Sequence, residues 1–134
     1  MPELCPFDYA VIRVVPRVER EEFINAGVIV SCRAQNFLKA KVELDLERLA
    51  VLAPLLDPAT IQKHLDVIPL ICAGGAEAGP IGLLPARSRF DWLVAPRSTI
   101  IQTSAVHTGM CRDGEEMLER LLESMVRRRQ DTGE

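Results

Sequence analysis

Residues 7–33 read FDYAVIRVVPRVEREEFINAGVIVSCR, and this stretch decides the fold. Two runs rich in Val and Ile flank a turn of mixed charge. The first run extends from about Phe7 to Val15. Side chains alternate between faces in an extended chain, so Ala10, Ile12 and Val14 share one face while Tyr9, Val11, Arg13 and Val15 share the other. Both faces are apolar apart from Arg13, which predicts an interior strand. Pro16 has no N–H for a ladder and should end it. Arg17 to Phe23 is then a charged connection, and a second strand runs from about Gly27 to Arg33.

The pattern continues outward from there. Arg33-Ala34-Gln35-Asn36 reads as a hairpin turn into a third strand, Phe37 to Leu44. Its Leu38, Ala40, Val42 and Leu44 alternate with Lys39, Lys41 and Glu43, which implies one face in water. Helical signals follow. Asp45 can cap a short helix over Leu46 to Leu52. Asp57-Pro58 starts a longer one with the stripe Ile61, Leu65, Ile68 and Cys72; Pro69 should kink or shorten it and Gly74-Gly75 should stop it. Ala76 to Arg89 reads as a long surface connection, with a helical turn over Ser88 to Leu93 around Phe90 and Trp92. Ser98 to Ser104 reads as a fourth strand and Val106 to Cys111 as a loop. Asp113 caps a final helix from about Gly114 to Arg128, whose stripe is Met117, Leu118, Leu121, Leu122, Met125 and Val126.

Strands first and helices after predict an α+β domain. The expected architecture is an antiparallel or mixed sheet of about four strands, packed on one face by two main helices. One domain should span residues 1–134, with 1–6 a lead-in and 130–134 a frayed tail. At 134 residues, folding buries roughly 70% of the unfolded surface, enough for a core without disulfides. The hydrophobic and charged fractions, 48% and 26%, are those of globular chains. A net charge of −3 makes nucleic acid an unlikely partner, since phosphate backbones are bound by basic surfaces. No apolar run is long enough for a membrane span and no secretory leader is visible, so a cytoplasmic protein is expected. Cys5, Cys32, Cys72 and Cys111 lie far apart without a ligand-spaced pair, and His64 has no such partner either. Reduced thiols, no metal and no cofactor are the expectation.

Two clusters could carry chemistry. The first is Arg13, Arg17, Arg20 and Asn25, set among Glu19, Glu21 and Glu22. An arginine in a strand needs a carboxylate, a phosphate or water. These guanidinium groups can therefore pair internally or form an anion pocket. The second is Arg97, Ser98, Thr99, Gln102, Ser104, His107 and Thr108, dense in hydrogen-bond donors. It could hold a phosphate or carboxylate, with His107 as the candidate proton carrier. Alternatively, its hydroxyls simply shape turns. No phosphate loop and no serine-hydrolase elbow is present.

The blocks YAVIRVVPRVEREEFINAGVIVSCR and WLVAPRSTIIQTSAVHTG together closely resemble a bacterial family named domain of unknown function 3037 (DUF3037). The likeness covers about Phe7 to Val126. Members often read Val-Glu-Arg-Gly-Glu-Phe where this chain has Val18 to Phe23, so Glu21 replaces a glycine and tells against a tight turn there. The resemblance implies a small bacterial protein without assigned catalytic residues. Members are often encoded beside proteins resembling HipA-type serine/threonine kinases, which implies a HipA-like kinase as partner. Two functions are therefore expected. One is a non-enzymatic binding or regulatory protein. The alternative is an enzyme or ligand-binding module for a phosphate-bearing small molecule, held by Arg17 and Arg97 with His107 moving a proton. A homodimer is also compatible with the pattern.

Overall fold

A computed structural model describes residues 3–128, and the expected tail at 130–134 lies outside them. The central strand is β1, Cys5–Val14. It pairs antiparallel with β2, Ile24–Cys32, which pairs antiparallel with β3, Phe37–Val42. The other side of β1 is shared by two short strands, β4 (Ile101–Thr103) against its C-terminal half and β5 (His107–Cys111) against its N-terminal half. The helices are α1 (Leu46–Leu52), α2 (Pro58–Ala73), α3 (Gly79–Gly82), α4 (Ala86–Leu93) and α5 (Gly114–Met125). The chain is thus an α+β domain with a five-stranded sheet.

The doubly apolar pattern of residues 7–15 placed β1 correctly in the interior. What differs is the layering. Val28, Val30 and Cys32 of β2 pack with Leu118, Leu121 and Leu122 of α5. Ile29, on the opposite face, packs with Ile61, Leu65 and Ile68 of α2 and with Phe90 of α4. The two main helices therefore cover opposite faces of the sheet, not one. The physical reason lies in β3. Lys39, Lys41 and Glu43 do turn to one face, but α5 lies over it and supplies their partners. Lys39 Nζ is 2.8 Å from Glu115, Lys41 Nζ is 3.3 Å from Glu119, and Arg127, just past α5, joins Glu43 at 2.7 Å and Glu123 at 3.0 Å. Alternate strand residues and helix residues four apart both advance by about 6–7 Å, so the two rows of charge match in step. The pairs are solvent-screened and individually weak, so the apolar stripe of α5 supplies most of the binding.

Several local readings need correction. Cys5 and Pro6 are not a loose lead-in, because they pair with Cys111 and Met110 of β5. The segment expected as a loop, Val106 to Cys111, is mostly that strand. β4 and β5 act as one edge interrupted at Ser104. Between the Ile12–Thr103 and Tyr9–His107 pairs, Ala10 and Val11 of β1 face Ser104, Ala105 and Val106. The extra residue is a bulge, and it takes a carbonyl out of the ladder. The Ser104 hydroxyl replaces it: Val11 N donates to Ser104 Oγ at 2.9 Å, while Ser104 N donates to Val11 O at 2.8 Å.

The helices begin as their caps predict. Asp45 accepts from Arg48 N at 3.1 Å and Asp57 from Ala59 N at 3.2 Å. Asp113 occupies the N-cap position of α5 without a side-chain bond. Gln35, in the β2–β3 turn, takes that role by accepting from Gly114 N at 2.9 Å and donating to Arg112 O at 2.7 Å. α2 continues past Pro69 to Ala73 before Gly74 ends it. The segment read as a surface connection, Ala76 to Arg89, contains α3 and the start of α4. It is anchored by Arg89, which donates to Ile71 O at 2.9 Å and to Leu84 O at 2.9 Å, closing the C-terminal carbonyls of α2. Finally, the tight turn that Glu21 argued against does form. Glu21 adopts the left-handed conformation at φ 54°, and its N–H donates to Val18 O at 3.2 Å.

Candidate functional site

The charged turn between β1 and β2 resolves into local pairs. Arg17 Nε lies 3.4 Å from Glu19 Oε2, with both side chains in water. Arg20 grips Glu22 through both carboxylate oxygens, at 2.8 and 3.2 Å. The hydrogen bond and charge of Arg20 hold the Glu22 carboxyl below its usual range. Asn25 donates to Met125 O at 2.9 Å and ties the end of α5 to the sheet. Arg13 takes a different course. It stands between Asn25 and Gln102 in the sheet, and its guanidinium carbon sits 4.1 Å from the centroid of the Phe23 ring. Its Nε is buried without a hydrogen-bond partner. It lines a surface recess of about 410 Å³ together with Glu19, Glu21 and Gln102.

The second cluster is likewise turned upon the fold. Arg97 donates to Leu93 O at 2.9 Å and to Trp92 O at 2.6 Å, closing the end of α4, and stacks 4.4 Å over the Trp92 ring. Thr99 donates to Ile101 O and Gln102 to Thr99 O, each at 2.8 Å, shaping the entry to β4. Ser98 is exposed in the link before it. Thr108 donates to Asp8 Oδ1 at 2.9 Å. His107 is exposed on β5, its ring 5.3 Å from that of Tyr9. Arg13 and Arg97 line different recesses, the first among residues of the charged turn and the second beneath α2 and α4. Arg17 lines a third with Arg20 and Glu22, and His107 lines none of these. Within the second cluster, Arg97, Thr99 and Gln102 share the wall of an apolar groove of about 370 Å³, and Gln102 also meets Arg13 of the first cluster across the β1–β4 ladder.

A polar cluster that sequence reasoning missed joins β1, β2 and α4. Arg87 Nη1 donates to Asp8 Oδ2 at 2.7 Å and reaches Ser31 Oγ at 3.5 Å. Its Nε is 3.3 Å from Asp91 Oδ1 but is not aligned to hydrogen-bond to it. Burial raises the Asp8 carboxyl, but the hydrogen bonds from Arg87 and Thr108 and the Arg87 charge outweigh that and leave it lowered. A signal existed in Asp8, an acid at the start of an otherwise apolar strand. Its partner 79 positions away carried none.

Cys32, Cys72 and Cys111 are buried, and Cys5 is partly exposed. Burial pushes Cys72 up to about 12 and Cys111 up to about 11. Cys5, Cys32 and Cys111 gather beneath α5 in one apolar cluster.

With this geometry in place, comparison of the whole chain is informative. The family described as Protein of unknown function (DUF3037) matches residues 9–126, from within β1 through the end of α5. The chain belongs to the DUF3037 family. Comparisons with curated proteins and with solved structures each return no match. In this DUF3037 protein, both sequence blocks that carry the likeness meet on the sheet: β4 and β5 of the second block flank β1 of the first. The left-handed turn at residue 21 is held here by a residue with a side chain. Among the described residues, no helix is long and apolar enough to cross a membrane.

Proposed function

We propose that this DUF3037 protein is a non-enzymatic binding or regulatory protein that acts through a protein surface, with a HipA-like serine/threonine kinase as its partner. One observation carries the reading. Three donors that could have helped assemble a reaction centre are engaged within the fold, Arg97 at the end of α4, Arg20 on Glu22 and Thr108 on Asp8. Where the second cluster does converge, it borders a groove walled by Val67, Trp92 and Ile101 instead of paired acids and bases. Large apolar side chains at water-facing positions favour protein recognition over small-molecule chemistry. The choice of partner follows the gene neighbourhood implied by the family likeness.

The test is co-expression of the full chain with a HipA-like serine/threonine kinase, followed by size-exclusion chromatography and a phosphorylation assay. A stable complex, or a change in kinase rate on adding the protein, is expected. Separate elution together with an unchanged rate would refute the kinase as partner.

A further inference from the structure

β4 is the last strand on its side of the sheet, and among the described residues its only strand partner is β1. The ladder fixes which of its backbone groups are free. Val15 N donates to Ile100 O and Ser104 N to Val11 O, so residues 100, 102 and 104 turn inward. Ile101 and Thr103 consequently direct their N–H and C=O groups outward. Thr99 Oγ1 covers the Ile101 carbonyl, leaving the two N–H groups and the Thr103 carbonyl for another chain. An open row of this kind is a template for an added strand.

The groove lies along this edge. Its floor is Ile100 and Ile101, and its far wall is Val67 and His64 of α2 with Trp92 of α4. Val67 is 48% exposed and Trp92 41%, and both border the groove. Arg97 and His64 are the ionisable side chains on the lining, and no carboxylate is among them. Arg97 directs three N–H groups at the carbonyls of Trp92, Leu93 and Ala95, leaving two of its five for an incoming acid.

Resting on the binding-protein reading above, we propose that this groove receives an extended segment of the partner by strand addition to β4. Alternate apolar side chains of that segment enter between β4 and α2, and an Asp, a Glu or a terminal carboxylate meets Arg97. Backbone pairing supplies affinity while the groove selects side chains. A second copy of the chain fits less well. Edge-to-edge pairing of two β4 strands would bring two concave grooves together, and neither could fill the other.

Trp92 is the sole tryptophan, so its fluorescence reports on the groove directly. The probe is a displayed library of short linear peptides selected on the full chain, with the selected peptides then synthesised and titrated while Trp92 emission is followed. Expected sequences alternate apolar residues and carry an acid near one end. Two variants test the mode. Thr103→Pro removes an outward N–H without touching a ladder bond. Val67→Glu places a charge on the groove wall at an exposed helix position. Each should weaken binding about tenfold or more with the melting temperature unchanged. Peptides methylated at alternate backbone nitrogens should also lose affinity in one register only.

Enrichment of no peptide would overturn the inference. So would peptides whose affinity ignores both variants, since they bind elsewhere. Self-association abolished by Thr103→Pro would overturn it in favour of a second copy. None of these results touches the co-expression test, so a kinase complex that survives Thr103→Pro and Val67→Glu would leave the binding function standing without this groove.

Discussion

Ser104→Ala gives the sharpest test of the sheet. The Ser104 hydroxyl holds the Val11 N–H at 2.9 Å inside the bulge that separates β4 from β5. Val11 is 6% exposed and Ser104 also 6%, so water does not replace the lost partner without local opening. A buried donor left unsatisfied costs about 1–3 kcal/mol. Alanine keeps the Cβ, and the Ser104 N to Val11 O bond remains, so packing loss is minor. A cost near 2 kcal/mol lowers the melting temperature by roughly 6–10 °C at this chain length. Urea unfolding followed by far-UV circular dichroism measures the free energy, and amide exchange reads the Val11 N–H itself. Thr99→Ala is the control, because its hydroxyl also bonds a backbone group, Ile101 O, but in an exposed position. It should stay within about 0.5 kcal/mol of the parent. If Ser104→Ala costs no more than Thr99→Ala, and Val11 exchange is unchanged, the account of the bulge is wrong.

Other outcomes follow from single contacts. Glu21→Gly should stabilise the protein by about 0.5–1 kcal/mol in chemical denaturation, since a side chain at φ 54° carries a steric cost that glycine avoids, less the entropy glycine returns to the unfolded chain. Gly27→Ala should destabilise by about 2–3 kcal/mol or more, because its Cβ would stand 2.5 Å from the Lys41 carbonyl oxygen and 3.0 Å from Ile12 Cδ1, forcing β2 from β3. Asp8, lowered in the folded state, contributes stability that is present above the ordinary carboxylate pKa and lost as pH falls through its folded value. Melting curves between about pH 6 and pH 3 should therefore fall less steeply in Asp8→Asn than in the parent, with the variant about 1 kcal/mol weaker at neutral pH. Thiol titration at mildly alkaline pH should find Cys5 reacting first, and Cys72 and Cys111 protected until denaturant is added, since burial holds those two up to about 12 and about 11.

The sequence by itself determined the class of fold, the interior place of β1, the three leading strands and the bounds of α1 and α2. These are local matters. Alternation of faces, an acid before a helix and a glycine after one act within a few residues, and nothing distant overrode them. Tertiary structure decided the rest. Whether Lys39 and Lys41 faced water or a helix depended on Glu115 and Glu119, more than 70 positions away. The strand at His107–Cys111 has little apolar pattern of its own and exists because β1 offers it a ladder. The arginines show the same division. Their need for a carboxylate, a phosphate or water could be read from Arg13, Arg17 and Arg97 alone. Which received a glutamate, an aromatic ring or the end of a helix was settled by the packing of α4, α5 and the sheet, because a guanidinium takes whichever acceptor the folded chain brings within reach.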